Sequence, residues 1–128
     1  MMRNVFAWTL FVGYCGLLTA LSSMSHIPVR MPDVHLVDKV VHTLAFGGLA
    51  VLALAVSHTS MSRWGPRAHA LFAWLFTSTF GVIDEFHQRT VPGRAFELLD
   101  MVADALGATI VVGVYYGFAT RRRGRVEA

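Results

Sequence analysis

Asp38 and His42, Asp84 and Gln88, and Asp100 and Asp104 form three pairs of polar residues, each four apart, in an otherwise apolar sequence. That spacing puts two side chains on one face of a helix, one above the other. A carboxylate beside an imidazole can act as general acid and base. The candidates for that work are Asp84 or Glu85 as base, with His42 or His87 as partner, and the residue types alone assign no catalytic role. Carboxylates with histidine also suit a divalent metal ion, but the chain has no HExxH or comparably spaced ligand set, so neither a metal nor another cofactor is expected. Lys39 and Arg94 suit an anion, because the planar guanidinium fork matches phosphate and carboxylate. The residues expected to line a binding site are Asp38, Lys39, His42, Asp84, Glu85, Gln88, Arg94, Asp100 and Asp104.

The elements that hold these residues follow from hydropathy. Of 128 residues, 55% are apolar and 15% charged, against about 25% charged in a soluble domain. The balance fits lipid as solvent. A net charge of +3 raises the question of nucleic acid, but the arginines flank apolar runs instead of sharing a solvated face, so no nucleic-acid partner is expected. Cys15 is the single cysteine, which excludes an intrachain disulfide.

Four stretches, 5–21, 40–56, 68–83 and 105–120, lack Asp, Glu, Lys and Arg. At a rise of about 1.5 Å per residue each covers about 24 to 26 Å, one turn short of the ~30 Å hydrocarbon core. In the last three runs the missing turn is supplied by Asp38 and Lys39, by residues 84–88 and by residues 100–104, which therefore dip into the interface. The expected fold is all-α: a polytopic membrane protein, a bundle of about four transmembrane helices near 4–22, 37–56, 67–84 and 99–119, in one domain over 1–128. A soluble four-helix bundle would carry polar stripes that 44–56 and 110–118 lack. The first run follows Arg3 as a secretory signal would, but it exceeds the usual apolar core of such signals, and a retained helix is expected.

Positive residues in short loops stay on the cytoplasmic side. With the N-terminus inside, Arg3, Arg63, Arg67, Arg121, Arg122, Arg123 and Arg125 are cytoplasmic, while Arg30, Lys39, Arg89 and Arg94 are outside. Both termini are then cytoplasmic, and Asp33, Asp38, Asp84, Glu85, Glu97, Asp100 and Asp104 gather on the extracytoplasmic face, with Glu127 inside. The location expected is the cell membrane.

Like charges at the spacing of Asp100 and Asp104 repel, and a charge deep in a bilayer is costly. Candidates for the offset are Arg94, Lys39, His42, a shared proton and a bound cation. The Pro92-Gly93 pair predicts a turn that returns Arg94 toward the membrane, making it the expected counterion of Asp84, Glu85, Asp100 and Asp104, while Lys39 points elsewhere or snorkels outward.

Asp38-Lys39-Val40-Val41-His42 with Phe46, then Asp84-Glu85-Phe86-His87-Gln88, then Pro92-Gly93-Arg94, then Asp100-Met101-Val102-Ala103-Asp104 with Gly107 resemble the VanZ family of small membrane proteins. The resemblance runs from about 37 to 117. It implies a membrane protein of the cell envelope, and the family's founding member is associated with low-level teicoplanin resistance. The family usually has Asn where this chain has Asp104, so a hydrogen-bonding role carries over better than an obligatory charge.

Three readings follow. The first is binding or remodelling of an anionic membrane lipid or lipid-linked cell-wall precursor by Lys39 and Arg94, with the carboxylates and Gln88 orienting them. The second is an intramembrane acid-base or metal-assisted enzyme on a lipid-linked substrate. The third is a proton or ion pathway through Asp104 and His42, which the apolar stretch 49–56 disfavours.

Other features have plainer readings. Met24, His26, Met31 and His35 are scattered residues of an extended loop carrying Pro28 and Pro32. His58 and His69 are expected to be solvated near a simple turn at 57–67. Gly113 with Gly117, and Gly47 with Gly48, suit close helix contact within one molecule or between copies, which leaves a homo-oligomer open. Trp8, Trp64 and Trp74 suit interface anchoring or packing.

Overall fold

The computed structural model describes residues 2–25 and 34–126, with backbone alone at 34–35, 123–124 and 126. His26, Pro28, Arg30, Met31, Pro32, Asp33, Glu127 and the His35 side chain lie outside the described residues.

Four helices account for nearly all of the described chain: α1 (Met2–Ser22), α2 (Val34–Ser60), α3 (Pro66–Gln88) and α4 (Leu98–Val126). Each contains one of the charge-free runs and continues past it. Asp38 and Lys39, residues 84–88, and Asp100 to Asp104 are all helical, as the missing-turn argument requires. Pro66 opens α3 directly after an extended Gly65, where its absent N–H costs nothing.

By length and apolarity α1, α2 and α4 can each cross a membrane. Helix α3 is also long, at 23 residues, or about 34 Å. It is less apolar because His69, Thr77, Ser78, Thr79, Asp84 and Glu85 interrupt it. Five of its polar side chains turn inward, with His69, Thr77, Asp84, Glu85 and Gln88 all buried. Outward stand large apolar groups, among them Phe6, Leu44, Leu71, Ile83, Val102 and Phe118. Such a surface exceeds what a water-soluble monomer exposes and suits lipid.

Helix α2 is the hub, packing on α1, α3 and α4, while α3 also lies along α4 and α1 only brushes α3. The core between them holds Phe11, Phe46, Leu49, Ala53, Val56 and Ala73. Phe11, Phe76, Phe80 and Phe46 follow one another with ring centroids 4.9, 6.1 and 6.2 Å apart. With no water expelled between lipid-bathed helices, close packing and interhelical hydrogen bonds must hold the bundle. Tyr14 Oη donates to the Ala45 carbonyl at 3.0 Å, and Trp8 Nε1 donates to Ser60 Oγ at 2.9 Å. Both bonds join α1 to α2.

The closest approach is between α2 and α4. A Cβ on Gly107 would strike the Thr43 carbonyl oxygen and come within 2.9 Å of the Gly47 amide nitrogen. Gly113 and Gly117, the GxxxG pair, have nothing within 4 Å of an added Cβ. Of Gly107, Gly113 and Gly117, it is Gly107 that meets a neighbouring helix.

At the far end from the acidic residues, His69 is 2% exposed and its Nδ1 lies 3.0 Å from Ser57 Oγ. The His58 ring stacks on it at 3.9 Å. The expectation of two merely solvated histidines is thus corrected for His69, which closes the α2–α3 turn.

Candidate functional site

All the polar constellations meet at one end of the bundle, where α1 and α3 finish and α2 and α4 begin. The antiparallel order of the helices places them there. Three carboxylates surround one ammonium: Lys39 Nζ lies 2.6 Å from Glu97 Oε2 and 3.2 Å from Asp38 Oδ2, and it pairs with Asp100 Oδ1. Asp100 is buried, and Lys39 is largely so. Lys39 therefore points into the cluster, which corrects the expectation that it snorkels away.

The second charge of α4 has a different partner. His42 Nδ1 is 2.9 Å from Asp104 Oδ1, and His42 Nε2 is 3.8 Å from Asp100 Oδ2. With Asp104 ionised, the carboxylate only accepts, and Nδ1 is then the nitrogen that bears the hydrogen and donates. The repulsion between Asp100 and Asp104 is relieved by giving each a separate partner on α2. Asp104 fits because residue 81 of α3 is glycine: a Cβ there would stand 2.7 Å from Asp104 Oδ2. Below the imidazole, Phe46 lies nearly parallel, with centroids 6.2 Å apart and planes 6° from one another. This is the one-turn-deep stripe expected from the spacing of 38, 42 and 46.

On α3 the spacing of Asp84 and Gln88 becomes a direct contact. Gln88 Nε2 donates to Asp84 Oδ2 at 3.0 Å, and Ser22 Oγ of α1 donates to Asp84 Oδ1 at 2.6 Å. Arg94 Nη2 donates to Gln88 Oε1 at 2.7 Å. The arginine thus reaches Asp84 only through an amide, and among the described residues it makes no ion pair. The expectation that Arg94 neutralises Asp84, Glu85, Asp100 and Asp104 is corrected: Lys39 and His42 serve Asp100 and Asp104. Its return toward the cluster does occur, because Arg94 N bonds to Val91 O at 3.2 Å across Pro92 and Gly93, with Gly93 at φ 84°. Proline followed by a positive-φ glycine is the sequence of a type II turn.

Glu85 is almost fully buried, and its Oε1 accepts from the Glu97 amide at 2.5 Å, so it pins the start of α4 to the end of α3. His87 turns to Ser23, the residue after α1, 2.9 Å from its Oγ. The suggested pairing of His42 or His87 with Asp84 or Glu85 is not what forms; His42 belongs to Asp104 and Asp100.

Sequence reasoning passed over Glu97, Ser22 and Gly81 as site residues, and Thr43, whose Oγ1 donates to the Ala103 carbonyl of α4 at 3.2 Å. Glu97 had a signal, since it is an acidic residue just ahead of the fourth helix, where its carbonyl accepts from the Asp100 amide at 3.0 Å. Ser22, Gly81 and Thr43 had none, because each acts through a different helix.

Two cavities open on the cluster. One, about 160 Å³, is lined by Asp38, His42, Gln88, Gly93, Arg94, Ala95, Glu97 and Asp100. The other, about 440 Å³, adds apolar walls from Leu18, Leu21, Met24, Val41, Ala45 and Phe46, and it shares Asp38, His42, Gln88 and Arg94 with the first. The polar end suits a headgroup and the apolar end a hydrocarbon chain.

Residues 3–119 match the VanZ/LLP1 family. No curated protein and no solved structure matches the chain.

Proposed function

The chain belongs to the VanZ/LLP1 family, and on that footing we propose that it binds or remodels an anionic lipid, or a lipid-linked cell-wall precursor, at one membrane–water interface of the cell envelope. The observation that carries the reading is the pair of cavities joined at Asp38, His42, Gln88 and Arg94, polar on one side and apolar on the other. An amphiphile needs that shape. Arg94 is the anion handle, since among the described residues its guanidinium makes one hydrogen bond, to Gln88, which leaves most of the donor fork for a ligand. Lys39 is already held by three carboxylates and acts as internal counterion instead. In this reading both termini are cytoplasmic and the cluster is extracytoplasmic, as the arginine distribution favours. Altered teicoplanin susceptibility is the cellular effect expected of a protein acting on precursor lipid.

Native mass spectrometry of the protein in gentle detergent tests the reading. An anionic lipid should be retained in preference to a zwitterionic one, and Arg94→Gln should weaken retention about tenfold or more, as expected on losing a charge-assisted hydrogen bond. Arg94→Lys should also weaken it, because lysine lacks the fork. Equal retention by all three proteins would sink the proposal.

One observation favours a second reading, an acid-base enzyme on a lipid-linked substrate: His42 lines both cavities while Asp104 holds its ring. Asp84 and Glu85 suit the base role less, being engaged in holding α1 and the start of α4.

A further inference from the structure

The geometry points to a divalent metal site formed by Asp38 and His42 of α2 with Asp100 of α4, opening into the polar cavity beside Arg94. One ligand atom from each lies within 4.8 Å of the others. Two atoms on one ion at usual bond lengths stand up to about 4 Å apart, so small rotations of the partly exposed Asp38 complete the set. Sequence spacing could not announce this site, because Asp100 comes from a separate helix.

Three further observations support it. The first is the orientation of His42. Its Nδ1 is committed to Asp104 Oδ1 at 2.9 Å, which leaves Nε2, 3.8 Å from Asp100 Oδ2, as the nitrogen an ion would take in place of a proton. Metal-bound histidines carry this kind of carboxylate partner on the other ring nitrogen, which fixes the tautomer and raises ligand basicity.

The second is the use of oxygens. Lys39 takes Asp100 Oδ1 and Asp38 Oδ2, leaving the other oxygen of each carboxylate for an ion. The third is charge. Asp38, Glu97 and Asp100 surround Lys39, three negative charges against one positive. A divalent ion brings that group to neutrality at a membrane edge, where unbalanced charge is costly.

One imidazole and two carboxylates suit Zn²⁺, a borderline ion, or the harder Mn²⁺, with the remaining positions open to the cavity. An ion there would present positive charge next to Arg94, so the cavity becomes a two-point receptor for a phosphate-bearing ligand. The metal site stands without the lipid reading.

The test uses full-length protein in detergent, stripped with chelator and titrated with Mn²⁺ or Zn²⁺ without added lipid. Calorimetry, and for Mn²⁺ electron paramagnetic resonance, should give one ion per chain. His42→Gln and Asp100→Asn should each weaken binding at least 100-fold. Asp104→Asn, which keeps an oxygen for the His42 hydrogen, should weaken it about tenfold. His58→Gln, at the opposite end of the bundle, should change nothing. Thermal unfolding covers the variants' folding: metal should raise the midpoint of wild type and fail to raise that of folded His42→Gln. No stoichiometric ion on folded wild type, or equal binding by His42→Gln, overturns the proposal. Because lipid is absent, a failure here is separate from a failure of lipid retention.

Discussion

Gly107→Ala is expected to destabilise the bundle by about 3 kcal/mol, the upper part of the range for overpacking a closely fitted contact. A methyl group there collides with the Thr43 carbonyl and the Gly47 amide, and both are backbone atoms that cannot rotate aside. Helices α2 and α4 must separate. The neighbouring Gly47→Ala provides the contrast, since its Cβ would rest at 3.6 Å from Val111 Cγ2 and 3.7 Å from Gly107 O, ordinary contact distances. Alanine also favours a helix interior over glycine by about 1 kcal/mol, so Gly47→Ala should be neutral or slightly stabilising. Reversible unfolding in mixed micelles measures both. Equal losses from the two substitutions would contradict the described approach of α2 and α4.

Lys39→Met should cost about 3 to 5 kcal/mol, the range seen when one member of a buried ionic group is removed and the rest keep their charge. Asp100 loses its only ammonium partner among the described residues, and Glu97 and Asp38 lose theirs. Adding Asp100→Asn to Lys39→Met should restore part of the loss, because the most buried of the three charges is then gone. Arg94→Met should cost only about 1 kcal/mol, since its partner is the neutral Gln88. The same unfolding assay reads all four proteins, and a larger loss for Arg94→Met than for Lys39→Met would return the counterion role to arginine.

The contrast between Lys39 and Arg94 marks where sequence reading reached its limit. Runs without charge locate helices because lipid tolerates few alternatives, and 40–56 and 105–120 lie within α2 and α4 as expected. Spacing within one helix was equally informative. Asp84 with Gln88 and His42 with Phe46 touch because a four-residue interval leaves little freedom. Pairing between helices depends on how each rotates about its axis, and Gly107 against Thr43 and Gly81 beneath Asp104 set that rotation. A single glycine in a helix looks the same in sequence whether it faces open space, as Gly113 does, or a neighbouring backbone, as Gly107 does. For the same reason the residues that gather at the site were legible as a group, while their partners were not.

The inward-facing polar side of α3 also bears on how the chain is made. Ser22 holds Asp84 from α1, and the Glu97 amide holds Glu85 from the start of α4. A segment bearing two carboxylates near one end partitions poorly into a bilayer by itself. The bonds that make it acceptable come from segments synthesised before and after it. The polar end of α3 therefore has its partners in full only once both α1 and the start of α4 are docked against it.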